Sequence, residues 1–222
     1  MEKNIDFIGK RLEALRSKME ENAIDALLVT KRENYHYFSG FTGTFAHLLI
    51  TMDQTVLVTD FRYKEQASMQ APLYETVQYQ GSLSAALEDI IRSRNVRRLG
   101  FEENFLTYDK YSEFKEKLGA DEMVPMGRAI EGLRMRKDVL EIDAIEKAVE
   151  IADRAFSHIL GHIRPGVSEI ELAAELEYFM KKQGAEGAAF ETIAASGSRA
   201  ALPHGVASAK KLEPGDVITF DY

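Results

Sequence analysis

The stretch that decides the fold of the second half of the chain runs from Thr192 to Tyr222 and reads TIAASGSRAALPHGVASAKKLEPGDVITFDY. Its two apolar, β-rich ends predict short strands near residues 191–195 and 216–222, because such runs are typical of strands when turn residues bound them. The segment between them is rich in glycine, serine and proline, which indicates a loop. That loop contains His204, and the second strand contains Asp221.

Asp221 lies near the end of the second predicted strand. Side chains alternate between the two faces of a strand, so Asp221 should point away from the face that carries Phe220 and Tyr222. A carboxylate in an apolar strand is costly to bury unless a cation or hydrogen-bond donors satisfy it. Two interpretations therefore stay open: Asp221 begins a turn, or it belongs to a binding site.

His204 stands between Pro203 and Gly205 in the loop. Glycine allows the backbone to approach a neighbouring element closely. An imidazole near neutral pH can exchange a proton or donate a hydrogen bond to an oxyanion. His204 is thus either an ordinary exposed loop residue or a catalytic group.

Two helices are predicted upstream of these strands. The first begins near residue 140, ends before Arg164, and carries a predicted apolar face of Leu140, Ile145, Ala148, Val149, Ala152, Phe156 and Ile159. Ser168 and Glu171 form an S-x-x-E capping box for the second helix, which should stop at Gly184.

The remaining histidines are interpreted as structural. His158 and His162 are four residues apart, a spacing that could hold a metal on a helix. They also fall at the end of the predicted helix, where cationic side chains complement its dipole, and we favour that role. His36 lies among aromatic residues and His47 on a predicted strand.

The first part of the chain alternates short strands with helices, which predicts a compact α/β domain over residues 1–125. Residues 4–22 read as an amphipathic helix, and residues 52–54 as the turn of a β-hairpin. Two glycines and three arginines interrupt the pattern over residues 126–136, which predicts a linker. Residues 137–222 then form a second domain.

Composition narrows the functional classes. The 222 residues carry a net charge of -8, which argues against general nucleic-acid binding because phosphate binding needs a basic surface. The absence of cysteine excludes disulfides and thiolate metal sites. No apolar run approaches the roughly 18 residues of a membrane span, and the first residues lack a signal-peptide pattern, so a cytoplasmic protein is expected.

Several motifs along the chain resemble one known family. They are YFSGFTG at 37–43, LVTDFRY at 57–63 with EQA at 65–67, EIDAIEKA at 141–148, FETIAASG at 190–197, LPHG at 202–205 and PGDVITFDY at 214–222. In this order and spacing, the chain resembles the Xaa-Pro peptidases, prolidase and aminopeptidase P, which are pita-bread metallopeptidases with a creatinase-like N-terminal domain. The resemblance covers nearly the whole chain.

The resemblance implies an α/β N-terminal domain, with a mixed sheet and flanking helices, followed by a truncated α+β pita-bread domain. It implies that His204 contacts substrate and helps to stabilise the tetrahedral intermediate, and that Asp221 is the first of five metal ligands. The other four ligands of the family would follow Tyr222, so the chain by itself is expected to be inactive.

The implied activity is metal-dependent hydrolysis of the peptide bond preceding proline, in Xaa-Pro dipeptides or at the N-terminus of longer peptides. The implied cofactor is a pair of Mn²⁺ ions, with Co²⁺ or Zn²⁺ as alternatives, and the implied assembly is a homodimer. Two other classes stay open: a non-catalytic pita-bread protein-binding module and a creatinase-type, metal-free hydrolase. Retention of both His204 and Asp221 favours the peptidase over the binding module.

Overall fold

A computed structural model describes residues 2–222, with side chains described from Ile5 onward. The chain divides into two compact units, the first ending at Asp138 and the second comprising Val139–Tyr222. Among the described residues, no helix combines the length and the hydropathy that crossing a bilayer requires.

The first unit contains six helices and six strands within the described residues. They are, in order, α1 (Glu2–Glu21), β1 (Ala26–Val29), α2 (Arg32–Ser39), β2 (His47–Thr51), β3 (Thr55–Thr59), α3 (Lys64–Gln70), β4 (Glu75–Gln78), α4 (Leu83–Ser93), β5 (Arg98–Phe101), α5 (Tyr108–Lys117), β6 (Glu122–Pro125) and α6 (Gly127–Met135). The strands form one sheet in the order β4-β3-β2-β1-β5-β6. Strand β2 runs antiparallel to β1 and β3, and the other pairs are parallel, so the sheet is mixed as predicted.

Helices cover both faces of this sheet. Because successive strand residues point to opposite faces, strand β1 contributes to two core clusters. Leu27 and Val29 of β1 join a core cluster with apolar residues of α1 and α2. Ala26 and Leu28 join a second cluster with residues of α4 and α5. Burial on both faces explains why the central strand has no polar residue.

Two sequence predictions for the first unit hold, whereas helix α2 and strand β6 were not predicted. The amphipathic helix at the N-terminus is α1, and the hairpin joins β2 to β3. Helix α2 was not predicted, because its short, aromatic-rich sequence has weak helix propensity. Tertiary packing of Tyr35 and Phe38, both buried, outweighs that weak propensity.

The segment expected to be a linker, residues 126–136, is mostly helical. Helix α6 occupies Gly127–Met135, and Ile130 is fully buried in a core cluster of the first unit. The glycine and arginine content of this segment favoured a linker. Its apolar side chains, however, recur at helical spacing and form the face of α6 that packs against the core.

The second unit contains α7 (Val139–Ile159), α8 (Glu169–Lys182), β7 (Ile193–Ser196), a 3₁₀ turn at Gly197–Ala201 and β8 (Ile218–Asp221). The capping box at the start of α8 is confirmed: Ser168 Oγ accepts a hydrogen bond from the Glu171 backbone N–H, and the Glu171 carboxylate accepts one from the Ser168 N–H. The helix continues to Lys182, so its predicted stop at Gly184 is close.

Most of the apolar face predicted for α7 is exposed. Ala155 and Ile159 are buried against α8, but Ile145, Val149 and Phe156 are about half exposed. Helix α7 is apolar on more than one side, so periodicity could not tell which side packs against α8.

Candidate functional site

Strands β7 and β8 form a two-stranded antiparallel ribbon in which Asp221 lies opposite Ile193. The predicted alternation is confirmed: Ile218, Phe220 and Tyr222 pack against the apolar core of the second unit, whereas Asp221 is exposed. Tyr222 is held there by its hydroxyl, which donates a hydrogen bond to the Ala152 carbonyl of α7 at 3.1 Å.

Asp221 is the last residue of strand β8. Within the part of the chain that the structure describes, no side chain forms a hydrogen bond or ion pair with its carboxylate. An exposed, unpaired carboxylate in a strand has the chemistry of a cation ligand, because oxygen donors suit hard divalent ions.

His204 lies in a tight turn after the 3₁₀ segment and is exposed, as its loop position predicted. The backbone N–H of Gly205 donates to the Leu202 carbonyl at 3.2 Å, and that of Val206 donates to the His204 carbonyl at 2.9 Å. A bridge between Val206 and Ile193 then ties the loop to β7.

Gly205 brings this loop unusually close to the sheet. A Cβ atom at position 205 would lie 2.8 Å from the Ala195 Cβ and 3.3 Å from the carbonyl oxygens of Arg199 and Leu202. Real Cβ atoms do not approach other atoms as closely as 2.8 Å. The close backbone approach predicted from the glycine is therefore confirmed.

His204 and Asp221 line the same open cleft, whose volume is about 450 Å³. The other residues that line it are Phe190, Glu191, Ile193, Pro203 and Val206. The cleft thus combines one imidazole, two carboxylates and an apolar wall. Carboxylates of this kind can bind a cation, and the apolar side chains can contact an apolar group.

A buried carboxylate behind the cleft holds the His204 loop, and the sequence analysis missed it. Glu169, at the first position of α8, is fully buried and accepts five hydrogen bonds. Its Oε1 accepts from the backbone N–H and the hydroxyl of Ser196, at 2.7 and 2.9 Å. Its Oε2 accepts from Ser208 N–H, Ser208 Oγ and Arg199 Nε, at 3.1, 2.6 and 3.1 Å.

Glu169 remains ionised in this setting. Burial by itself raises the pKa of its carboxyl group, but the hydrogen bonds from Ser208 and Ser196 outweigh burial and hold the pKa at about 2. Buried charges are stable only when donors or cations compensate them fully, and five donors do so here.

The network extends from Glu169 along both ends of the loop. Arg199 also donates to the Val206 carbonyl at 2.8 Å, which closes the segment that contains His204. Lys210 donates to the Ser196 hydroxyl at 2.9 Å and to the Asp216 carboxylate at 2.7 Å. The turn before β8 is thereby joined to the end of β7.

No local signal in the sequence separated Glu169 from its neighbour Glu171. Both are acidic residues in the first turn of a helix that begins at Ser168, and such residues are usually exposed. The burial of Glu169 depends on Ser196, Arg199 and Ser208, which are 27 to 39 residues away. Only the tertiary fold shows that these groups meet.

The other histidines have different surroundings. His47 is enclosed beside Phe45, with ring centroids 5.2 Å apart, and burial lowers its pKa to about 4. His158 and His162, interpreted from the sequence as structural, lie beside Glu175 of α8, which the sequence did not connect with them.

Comparison with known proteins agrees with this architecture. Residues 11–136 match the creatinase/prolidase N-terminal domain, and residues 143–222 match metallopeptidase family M24. A Xaa-Pro dipeptidase from Pyrococcus furiosus is 38% identical over 217 residues, which cover 96% of this chain and 60% of the relative. An uncharacterised peptidase from Bacillus subtilis is 43% identical over 212 residues, with the same two coverages.

Two solved structures extend the comparison. A Xaa-Pro dipeptidase from Bacillus anthracis superimposes with a TM-score of 0.91 at 46% identity, over 96% of this chain and 60% of that one. The prolidase from Pyrococcus furiosus superimposes with a TM-score of 0.87 at 38% identity, over 95% of this chain and 64% of that one. The chain spans about 60% of the length of these relatives. It belongs to the proteins with a creatinase/prolidase N-terminal domain, and its second unit matches part of metallopeptidase family M24.

Proposed function

We propose, on the premise of that family membership, that the chain forms the N-terminal part of a metal-dependent exopeptidase that hydrolyses the peptide bond preceding proline. The observation that carries the proposal is that His204 and the unpaired carboxylate of Asp221 line one cleft. The relatives named as Xaa-Pro dipeptidases and as a prolidase support the substrate class.

The residues of the cleft fit a divalent ion as far as this chain supplies them. The exposed carboxylate of Asp221 would be one ligand, and Mn²⁺ is the proposed ion, with Co²⁺ or Zn²⁺ as alternatives. When bound, a pair of divalent ions would polarise the scissile carbonyl and generate a nucleophile from water at neutral pH. The further ligands that the family resemblance implies are not among residues 1–222.

His204 would act on the substrate itself. A ring N–H of its imidazole would donate a hydrogen bond towards the oxygen on which negative charge develops, and such a preorganised donor is typically worth a factor of about 10²–10³ in kcat. Preorganisation comes from Gly205, which seats the loop on β7, and from Glu169, which holds the flanking segments.

The apolar wall of the cleft would bind the non-reacting part of the substrate. Phe190, Ile193 and Val206 are among the residues that line the cleft, and a proline ring is an apolar group that such side chains can contact. Their contact with the ring would exclude water and fix the orientation of the peptide bond.

Three further parts of the proposal rest on the sequence and the family resemblance. They are a homodimeric assembly, a cytoplasmic location, and a lack of turnover by the 222-residue chain alone. The last follows from the donor count, since Asp221 is the one residue of this chain that we propose as a ligand, and a single carboxylate is too few for a pair of ions.

The test is a proline-release assay on the full-length protein that contains this chain, with Mn²⁺ and with both a Xaa-Pro dipeptide and a longer Xaa-Pro peptide. We expect turnover of at least one of them, and a fall of about 10²–10³-fold in kcat for His204→Ala. Glu213→Ala, an exposed change in the following segment, is the matched control and should leave turnover intact.

Two outcomes would contradict the proposal. One is the absence of turnover of every Xaa-Pro peptide with Mn²⁺, Co²⁺ and Zn²⁺. The other is equal turnover by the His204→Ala variant and the unchanged protein. Metal-independent hydrolysis of creatine would instead support the creatinase-type alternative.

A further inference from the structure

A second group of metal-ligating side chains lies apart from the cleft of His204 and Asp221. It joins the end of α7 to the middle of α8 and consists of His158, His162 and Glu175. One ligand atom from each residue lies within 4.8 Å of the others. His158 Nε2 is 2.6 Å from Glu175 Oε1, and His162 Nε2 is 3.8 Å from the same oxygen.

The orientation of His162 leaves a nitrogen free for a ligand. Its Nδ1 lies 3.2 Å from the backbone carbonyl oxygen of His158. A carbonyl can only accept, so Nδ1 donates this hydrogen bond, and Nε2, which faces Glu175, is the ring nitrogen that can bind a cation. Metal-binding histidines are commonly held in this way, by a hydrogen bond from the ring nitrogen that does not bind the ion.

The ring of His158 is held by packing. It stacks on Phe179 of α8 with a centroid distance of 4.2 Å and an interplanar angle of 16°. The centroids of the two histidine rings are 4.5 Å apart, and the ring planes are tilted by 46°. One wall of the cluster is therefore apolar, and the three donors converge on the side that remains open to solvent.

We propose that His158, His162 and Glu175 bind one divalent ion of the borderline class, with Zn²⁺ as its representative. Two imidazole nitrogens and one carboxylate oxygen form a donor set that zinc accepts, with water at the fourth position. The bond lengths of about 2.0–2.2 Å place tetrahedral donors about 3.3 Å apart. The two observed separations of 2.6 and 3.8 Å lie on either side of that value.

Small side-chain movements complete the site, because all three side chains are partly exposed and none is locked in the core. The ion would replace the proton shared between His158 and Glu175. It would also cross-link the end of α7 to α8, two elements that otherwise meet through apolar contacts such as Ile159 with Leu176. The site would thus stabilise the second unit independently of the proposed peptidase activity.

The test is calorimetric titration of the 222-residue chain with Zn²⁺ at pH 7.5. We expect one ion per chain, an affinity at least tenfold weaker for His162→Ala and for Glu175→Gln, and a rise in Tm on adding Zn²⁺ that both variants lose. His162 is the more informative position, because its side chain is 44% exposed and its removal leaves the helix packing intact.

The matched control is the double variant His204→Ala, Asp221→Asn, which removes both proposed residues of the peptidase cleft. It should bind Zn²⁺ as tightly as the unchanged chain. The proposal is overturned if the unchanged chain binds no Zn²⁺, or if His162→Ala binds it equally well. Loss of binding in the double variant alone would place the ion in the cleft and also overturn the proposal.

Discussion

Each unit of the molecule contains one buried glutamate that organises a loop, and the two differ in how their charge is compensated. Glu102, which follows β5 in the first unit, accepts from the backbone N–H groups of Thr30 and Lys31, at 2.5 and 2.8 Å. Asn34 donates to its other oxygen at 2.6 Å. Glu169 in the second unit accepts from backbone and hydroxyl groups too, but also from an arginine.

The difference reflects what each carboxylate holds. Glu102 fixes the connection between β1 and α2, where two regular elements already define the path of the backbone. In the described part of the chain, no lysine or arginine forms an ion pair with it, and Arg134 approaches only through Asn34. Glu169 instead holds an irregular segment of a dozen residues, which is consistent with its five hydrogen bonds, one of them from a cation.

The candidate site is therefore stabilised mainly by the hydrogen bonds of a buried carboxylate, and less by the two-stranded ribbon on which it lies. A two-stranded ribbon is at best marginally stable by itself. In the second unit, the ribbon of β7 and β8 therefore depends on its packing against α8 and on the charge network that begins at that helix. In the first unit, the six-stranded sheet supplies this rigidity directly.

Among the substitutions, we expect the largest loss of stability for Glu169→Ala. It leaves Arg199 Nε and the donors of Ser196 and Ser208 without their common acceptor, and breaking a buried ion pair by removing one member typically costs about 3–5 kcal/mol. We expect faster amide hydrogen exchange at Ser196 and Ser208 and a loss of that size in the free energy of unfolding of the second unit.

Glu150→Ala, which removes an exposed glutamate from α7, is the control for this variant and should change neither quantity. Glu169→Gln is a conservative second variant, since its amide oxygen can replace only one of the two acceptors. Unchanged exchange at Ser196 in Glu169→Ala would show that the carboxylate does not hold the loop.

Low pH protonates Glu169 and so tests the contribution of its charge to the stability of the second unit. The pKa of Glu169 is about 2 in the folded protein, below the ordinary value of 4.5, so its contribution to stability is complete above pH 4.5 and is lost as pH falls through 2. A pKa difference of this size corresponds to about 3 kcal/mol. The gap in unfolding free energy between the unchanged chain and Glu169→Gln should therefore shrink between pH 5 and pH 2, as measured by urea unfolding. A gap that stays constant over this range would contradict the expectation.

Glu102→Ala should cost less than Glu169→Ala. It leaves buried donors of Thr30, Lys31 and Asn34 unsatisfied but no cation, which predicts a loss of about 2–3 kcal/mol in the stability of the first unit. Urea unfolding, together with hydrogen exchange at Thr30 and Lys31, measures it. Glu116→Ala on the exposed side of α5 is the control, and a loss larger than that of Glu169→Ala would reverse the comparison.

The smallest effects come from single hydroxyl groups. Ser208→Ala removes a donor 2.6 Å from Glu169, and Thr30→Val removes one 3.0 Å from Glu102. Each carboxylate keeps its other donors, so we expect losses of about 1.5 and about 1 kcal/mol respectively. Thermal unfolding of both variants tests this ranking, and a larger loss for Thr30→Val would contradict it.

Local patterns in the sequence predicted the features that depend on neighbouring residues. The capping box of Ser168 and Glu171, the hairpin between β2 and β3, and the alternation that exposes Asp221 all follow from spacing alone. The mixed α/β character of the first unit follows in the same way, from the order of its short strands and helices.

Features that depend on distant residues were missed or wrongly assigned. Helix α2 forms because Tyr35 and Phe38 are buried, and α6 because Ile130 is, although neither segment was predicted to be helical. The role of Glu169 and the meeting of His158 with Glu175 require contacts between separate elements. No single-sequence pattern contains that information.

The seating of Gly205 on Ala195 has an evolutionary consequence. Because residue 205 has no Cβ, its backbone can lie close to Ala195, and this short distance sets the position of the neighbouring imidazole relative to the ribbon. A larger side chain at either position would lift the loop by a fraction of an ångström and misdirect His204. Substitutions at these two positions should therefore co-vary among active relatives, with any gain of volume at one matched by a loss at the other.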